Sequence, residues 1–335
     1  MPAPINVGII GCGGFVRGMH IPNLKANPKF KIRAVMDINE KAASSLQADS
    51  GAEYATADVE KIHKDKEIGL VLITTRHDSH AELSIKAAKA GKHILCEKPM
   101  GLNIDECRQI ADAVRQNKVK YTVGYNRGIA PHIVKAKNLL KTCPEKKLIY
   151  HRIQAPFPES HWTHDPKIGG GRFVGEGCHI FDLLCELISA PPVSVFAAGS
   201  TFLNPSIVKI PDSAAVTITF ADGSVGTTII ASAGCGQFPK EATEIYCAGK
   251  AIYIQDFKEM DYYGFEGPGK YSISLPQTDK GQATEIDQLA DAIINNTEPP
   301  NGLAKAARAA LISYKVNESI AKGVPVPINE KEYNF

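Results

Sequence analysis

The 335-residue sequence holds no apolar run long enough to span a bilayer, and its start, MPAPINVG, lacks the basic-then-apolar build of a signal peptide. Neither sign of charge dominates. Against 38 Lys and Arg stand 36 Asp and Glu, so there is no general electrostatic pull towards nucleic acid. Lys135, Lys137, Lys141, Lys146 and Lys147 read as the solvated face and end of one helix. No two of the eight cysteines have C-x-x-C spacing, and most sit in apolar segments such as HILCEK and IFDLLCELI. They read as reduced, buried small residues of a cytoplasmic protein, with no metal site expected. Internal repeats and low-complexity stretches are also missing.

What is present alternates. NVGII, KIRAVMD, GLVLITT, KHILCE and KYTVGY are short β-rich runs, separated by helical stretches such as SHAELSIKAAKAG and NIDECRQIADAVRQN. Asn103 is the expected N-cap of the latter, and Gly91 ends the former. Such alternation builds a doubly wound parallel sheet, an α/β domain assigned to residues 1–125. The remainder, 126–335, reads as α+β. LIYHRIQA, VSVFAAG, AVTITFADGSVGTTIIAS and TEIYCAGKAIYIQD predict an open, mostly antiparallel sheet, with hairpins at Asp222-Gly223 and at Gly249. FVGEGCHIFDLLCELI and two C-terminal stretches predict helices.

Two motifs carry chemistry. In VGIIGCGGFV, Gly11 and Gly13 follow a buried strand, where a glycine loop (Gly11, Cys12, Gly13, Gly14, Phe15) lets a pyrophosphate rest on the next helix. Val16 stands where a third glycine is usual. Asp37 ends the second strand pattern, followed by Ile38; its carboxylate either accepts from both ribose hydroxyls of NAD or caps a helix. The same charge would repel a 2′-phosphate, so NAD is expected over NADP. The second motif is HILCEKPMG. Glu97 and Lys98 sit at a strand's carboxyl end, where ligands of parallel sheets bind, and Pro99 restrains the chain after the lysine. Lys98 either meets a reacting hydroxyl or pairs with Glu97 at the surface.

Downstream, GGGRFVGEGCHIFDLL places His179 and Asp182 three apart, on one helical face. His179 is a candidate general base for a secondary alcohol with Asp182 supporting its charge, or else a hydrogen-bonded core histidine. Trp162, in HWTHDP, offers an aromatic face to a pyranose or to the core. Arg172 and Glu176 are further candidates for substrate contact.

Taken in order, GIIGCGGF, Asp37, ITTRHDSHAELSIKAAKAGKHILCEKPM, VGYNR and GGGRFVGEGCHIFD resemble the Gfo/Idh/MocA oxidoreductases over nearly the whole chain. The resemblance implies a Rossmann domain, then a sheet domain that binds substrate and packs against a second subunit as a homodimer or homotetramer. It implies NAD(P) as cofactor and a small carbohydrate substrate. Lys98 would be the family's E-K-P lysine before a cis proline, and His179 the histidine acting on the substrate hydroxyl. Thr74, Thr75, Arg76 and His80 match the segment beneath the cofactor, and Asn126 the loop after the last Rossmann strand. One departure stands out: many members carry aspartate four residues before the histidine, whereas this chain has Gly175 there and Glu176 next. The expected activity is hydride transfer between nicotinamide and a ring carbinol of a sugar, cyclitol or sugar derivative. The alternative is a redox-neutral NAD-dependent glycosidase on the same fold.

Overall fold

In the computed structural model, which describes residues 3–335, the β-branched runs of the first half form one parallel sheet. Its strands are β1 (Ile5–Ile10), β2 (Phe30–Met36), β3 (Tyr54–Thr56), β4 (Leu70–Ile73), β5 (His93–Cys96) and β6 (Tyr121–Val123), in the order β3-β2-β1-β4-β5-β6. This is the doubly wound order with a switch between β1 and β4. All four residues of β4 are buried. Helices cover both faces of such a sheet, so its central strands read as continuous apolar runs. The helices between strands are α1 (Ile21–Ala26), α2 (Glu40–Ser50), α3 (Val59–Lys64), α4 (His80–Lys89) and α5 (Ile104–Asn117). Asn39 and Asn103 cap α2 and α5 by accepting backbone N–H bonds, and Gly91 takes a positive φ just past α4.

The second half supplies α6 (Pro131–Leu140), β7 (Leu148–Gln154), α7 (Cys178–Ile188), β8 (Pro192–Ser200), β9 (Ser213–Phe220) and β10 (Val225–Ala231). There follow β11 (Glu241–Cys247), β12 (Lys250–Gln255), β13 (Glu259–Tyr263), β14 (Lys270–Ser274), α8 (Gln282–Ile294), α9 (Leu303–Lys322) and β15 (Val326–Pro327). Strands β7 to β15 make a nine-stranded sheet in the order β14-β13-β12-β11-β7-β10-β9-β8-β15, antiparallel except where β7 runs parallel to β10. The hairpins fall as expected at Gly223 and Gly249, both with positive φ. Period-two alternation gives this sheet two characters. One face buries Ile149, Val216, Ile218, Ile230, Ile245 and Ile252; the other exposes Leu148, Phe196, Ile229 and Tyr246. Helix α7 lies on the buried face, where Leu184 approaches Gly226 so closely that a Cβ there would come within 3.2 Å.

The chain divides into two compact units. The first runs to Tyr125 and adds Gln282–Ala307 and Phe335; the second holds Asn126–Gly281 and Arg308–Asn334. Residues 282–307 therefore cluster with the parallel sheet although they follow the second sheet in sequence. Ile286, Leu289 and Ala290 of α8 share a buried core with Val7, Leu24 and Ile32. Among the described residues no helix is long and apolar enough to cross a membrane.

Candidate functional site

In the first unit the expected cofactor residues gather at the carboxyl ends of β1, β2, β4 and β5. Gly11 has φ +100°, and a Cβ there would lie 2.7 Å from the Thr74 carbonyl oxygen, so only glycine fits. Thr74 closes the same contact by donating its hydroxyl to the Gly11 carbonyl at 2.8 Å. At Gly13 and Gly14 the space a side chain would fill is open, which is the clearance a pyrophosphate needs. The helix that follows opens with a π-turn over Val16–His20 before α1. Val16 is fully buried there, and the missing third glycine thus becomes a core residue, while Phe15 is half exposed.

Asp37 is not the helix cap; Asn39 is. The Asp37 carboxylate instead accepts from Cys12 N at 2.8 Å and Asn39 N at 2.9 Å, which ties the glycine loop to the end of β2. It remains partly exposed beside the exposed Ile38. Ser79 donates to the Thr75 hydroxyl at 2.6 Å and to the Arg76 carbonyl at 2.8 Å. Buried His80 has Nδ1 2.8 Å from the Pro99 carbonyl and Nε2 3.2 Å from that of Thr75, and burial pushes its pKa down. Thr75 and the Lys98–Pro99 segment are thereby joined through one imidazole.

The Lys98–Pro99 peptide bond is cis. Glu97 is buried and accepts from His20 Nε2 at 2.7 Å, a partner that no local sequence pattern announces. Burial alone raises the Glu97 carboxyl, but His20 and the charge of Lys98 outweigh it and hold it below the usual range. Lys98 itself is half-buried.

In the second unit a π-turn over Phe173–Gly177 leads into α7. His179 and Asp182 are both buried, and Asp182 also acts on the Arg308 guanidinium. Glu176, left open by the sequence, joins an ion cluster. Its Oε1 lies 3.3 Å from the Arg127 guanidinium and 3.8 Å from Lys240 Nζ. Arg127 in turn grips Glu241 through two bonds of 2.8 and 3.0 Å, and Lys280 pairs with the same carboxylate. Burial pushes Glu241 up, yet Arg127, His151 and Lys280 outweigh it and hold it well below the carboxylate range. Burial lowers Lys280 and His151. Sequence reading missed Arg127, His151, Glu241 and Lys280. The alternation of β7 and β11, which puts His151 and Glu241 on the buried face, was the available signal.

Asn126 donates its side-chain amide to the Lys280 carbonyl at 2.8 Å. Arg172 is buried over the Phe157 ring, 4.0 Å from its centroid, and donates to Ser232 at 3.1 Å. Trp162 is half-buried beside His161, with ring centroids 5.3 Å apart. Lys146 and Lys147, read from sequence as the end of a helix, lie beyond α6, which stops at Leu140.

Comparison with known proteins gives the arrangement a family. Residues 5–125 match the Gfo/Idh/MocA oxidoreductase family, NAD-binding Rossmann fold, and residues 147–252 match the Gfo/Idh/MocA C-terminal domain. An uncharacterized oxidoreductase of Bacillus subtilis, YrbE, is 28% identical over 99% of both chains. The myo-inositol 2-dehydrogenase of Thermotoga maritima is 28% identical over 97% of this chain and 99% of its own. A levoglucosan dehydrogenase solved with NADH and levoglucosan superposes with a TM-score of 0.88 over 97% of this chain and 99% of its own; at 23% identity it shows the shared fold. With both domains matched in order, this chain belongs to the Gfo/Idh/MocA family of oxidoreductases, and residues 5–125 are its NAD-binding Rossmann fold.

Proposed function

We propose that the protein is a dehydrogenase that exchanges a hydride between nicotinamide and a ring carbinol of a sugar, cyclitol or sugar derivative. The observation that carries this reading is the glycine loop locked to Asp37, with Lys98 just beyond the carboxyl end of β5 in the same unit. Relatives named as myo-inositol 2-dehydrogenase and levoglucosan dehydrogenase support the substrate class.

NAD, when bound, supplies the hydride acceptor. Gly11, Gly13 and Gly14 would admit its pyrophosphate, and Asp37 would accept from the adenosine ribose while disfavouring a 2′-phosphate. Lys98 donates to the reacting hydroxyl, with Glu97 turned away to His20. His179 takes the hydroxyl proton, and Asp182, three residues on, supports the charge the imidazole gains. Glu176, facing Arg127 and Lys240, serves as an ionised acceptor for a further substrate hydroxyl. Trp162 and Arg172 border the substrate. Cofactor binding is assigned to residues 1–125 and substrate binding to 126–335.

The test is the near-ultraviolet absorbance of NADH, with NAD⁺ and a panel of free sugars, cyclitols and glycosides. A signal lost in Lys98→Ala at unchanged NADH affinity supports the reading. Release of a leaving group from a glycoside, without net NADH, would replace it by the redox-neutral glycosidase. The apolar residues on the open face of the second sheet support a homodimer or homotetramer built through that face. Ile229→Lys is expected to shift the sedimentation coefficient towards that of a monomer; an unchanged value would move the interface elsewhere.

A further inference from the structure

Away from the residues discussed so far, the loop between α6 and β7 meets the end of β11. Cys143 and Glu145 come from the loop and Cys247 from the strand. One ligand atom from each lies within 4.8 Å of the others. Both cysteines are buried and Glu145 is exposed, so the group opens to solvent on one side only. The Cys247 thiol donates to the Glu145 carbonyl at 3.6 Å, and the Thr142 hydroxyl stands 3.8 Å from Cys143 Sγ.

From this convergence we propose that Cys143, Cys247 and Glu145 form a binding site for a thiophilic divalent ion of the zinc type, with solvent as fourth ligand. Two sulfurs and one carboxylate oxygen are the donor set such an ion prefers over calcium or magnesium. Sulfurs about 2.3 Å from one tetrahedral ion stand roughly 3.8 Å apart, so closure needs only a small movement of the loop side chains. Charge also fits. Two thiolates and a carboxylate around a divalent ion leave one net negative charge, and Lys146, Lys147 and Lys250 line the recess that contains Cys247. Burial and the neighbouring Cys143 push the Cys247 thiol up, so binding displaces its proton to solvent. The ion would pin the loop ahead of β7 to the end of β11. The ligands are 143, 145 and 247, so no local spacing pattern reveals them.

The full chain, reduced with a phosphine and stripped with a chelator, is dialysed against Zn²⁺ and its retained metal counted. Cd²⁺ is then titrated in, with its thiolate charge-transfer band followed in the ultraviolet. One ion per chain is expected, with the band and a metal-induced rise in thermal midpoint. Cys235→Ser, at the exposed cysteine, keeps both signals; Cys143→Ser and Cys247→Ser lose both, and Glu145→Gln binds more weakly. Glu145 is exposed, so its variant tests the site even if a buried serine disturbs folding. Metal retention or a band unaltered in all three variants would overturn the site. So would absence of binding, or loss of two thiols to a Cys143–Cys247 disulfide in place of metal uptake.

Discussion

At the scale of single residues, the Asp37 carboxylate holds the glycine loop through Cys12 N, and the proposed function gives it a ribose to hold as well. Asp37→Ala is expected to weaken NADH binding about tenfold, near 1.4 kcal/mol, and NADPH binding less, as read by fluorescence titration. Equal losses for both cofactors would assign the effect to the loop alone. The positions of Asp37 after β2, Lys98 after β5 and His179 in α7 were legible because each sits in a short motif whose neighbours define its setting. His20 was not: its partner Glu97 lies 77 residues away, and nothing around either residue advertises the pair. Glu176 illustrates the same limit. Its offset from the family's aspartate position was plain in sequence, but Arg127 and Lys240, which decide what it faces, were not.

At the scale of elements, β11 delivers Glu241 to Arg127, which comes from the short 3-10 turn Asn126–Ile129. The pair is 114 residues apart in sequence, and Glu241 is 1% exposed. Removing one partner leaves a buried charge without compensation, so Glu241→Ala is expected to cost about 3–5 kcal/mol in urea denaturation. The double variant Arg127→Met with Glu241→Leu should cost less, because no lone charge remains; a larger, additive loss would contradict this account. The long elements were readable from their caps and periods. Asn103 caps α5 and Gly249 turns β11 into β12 as their residue types require. The three-residue β3 and the polar edge strand β14 were missed, since neither carries enough apolar alternation to stand out from a loop.

At the scale of the whole molecule, acid should act in two windows. Burial holds His63, His80, His93, His151 and His164 below the usual value of 6.5. The unfolded chain takes up protons first as pH drops past that value, so the stability these histidines provide is present above it and lost below. Glu97 and Glu241, held below 4.5, add stability that disappears only at lower pH as they protonate in the fold. The thermal midpoint should therefore fall from about pH 7 to pH 5 and again below; a flat profile across the upper window would count against the buried neutral imidazoles. The division into a parallel and a mostly antiparallel sheet was legible, whereas the clustering of α8 with the first sheet was not, because an amphipathic helix does not name the surface it will cover. The one parallel pairing in the second sheet reaches into biosynthesis. Leu148 of β7 must wait for Val225 of β10 before its row of backbone bonds can close, and for Tyr246 on its other side. A nascent chain thus carries β7 with both edges bare until β10 and β11 emerge, so the ribosome finishes most of the second unit before its central strand can be protected from pairing with another chain.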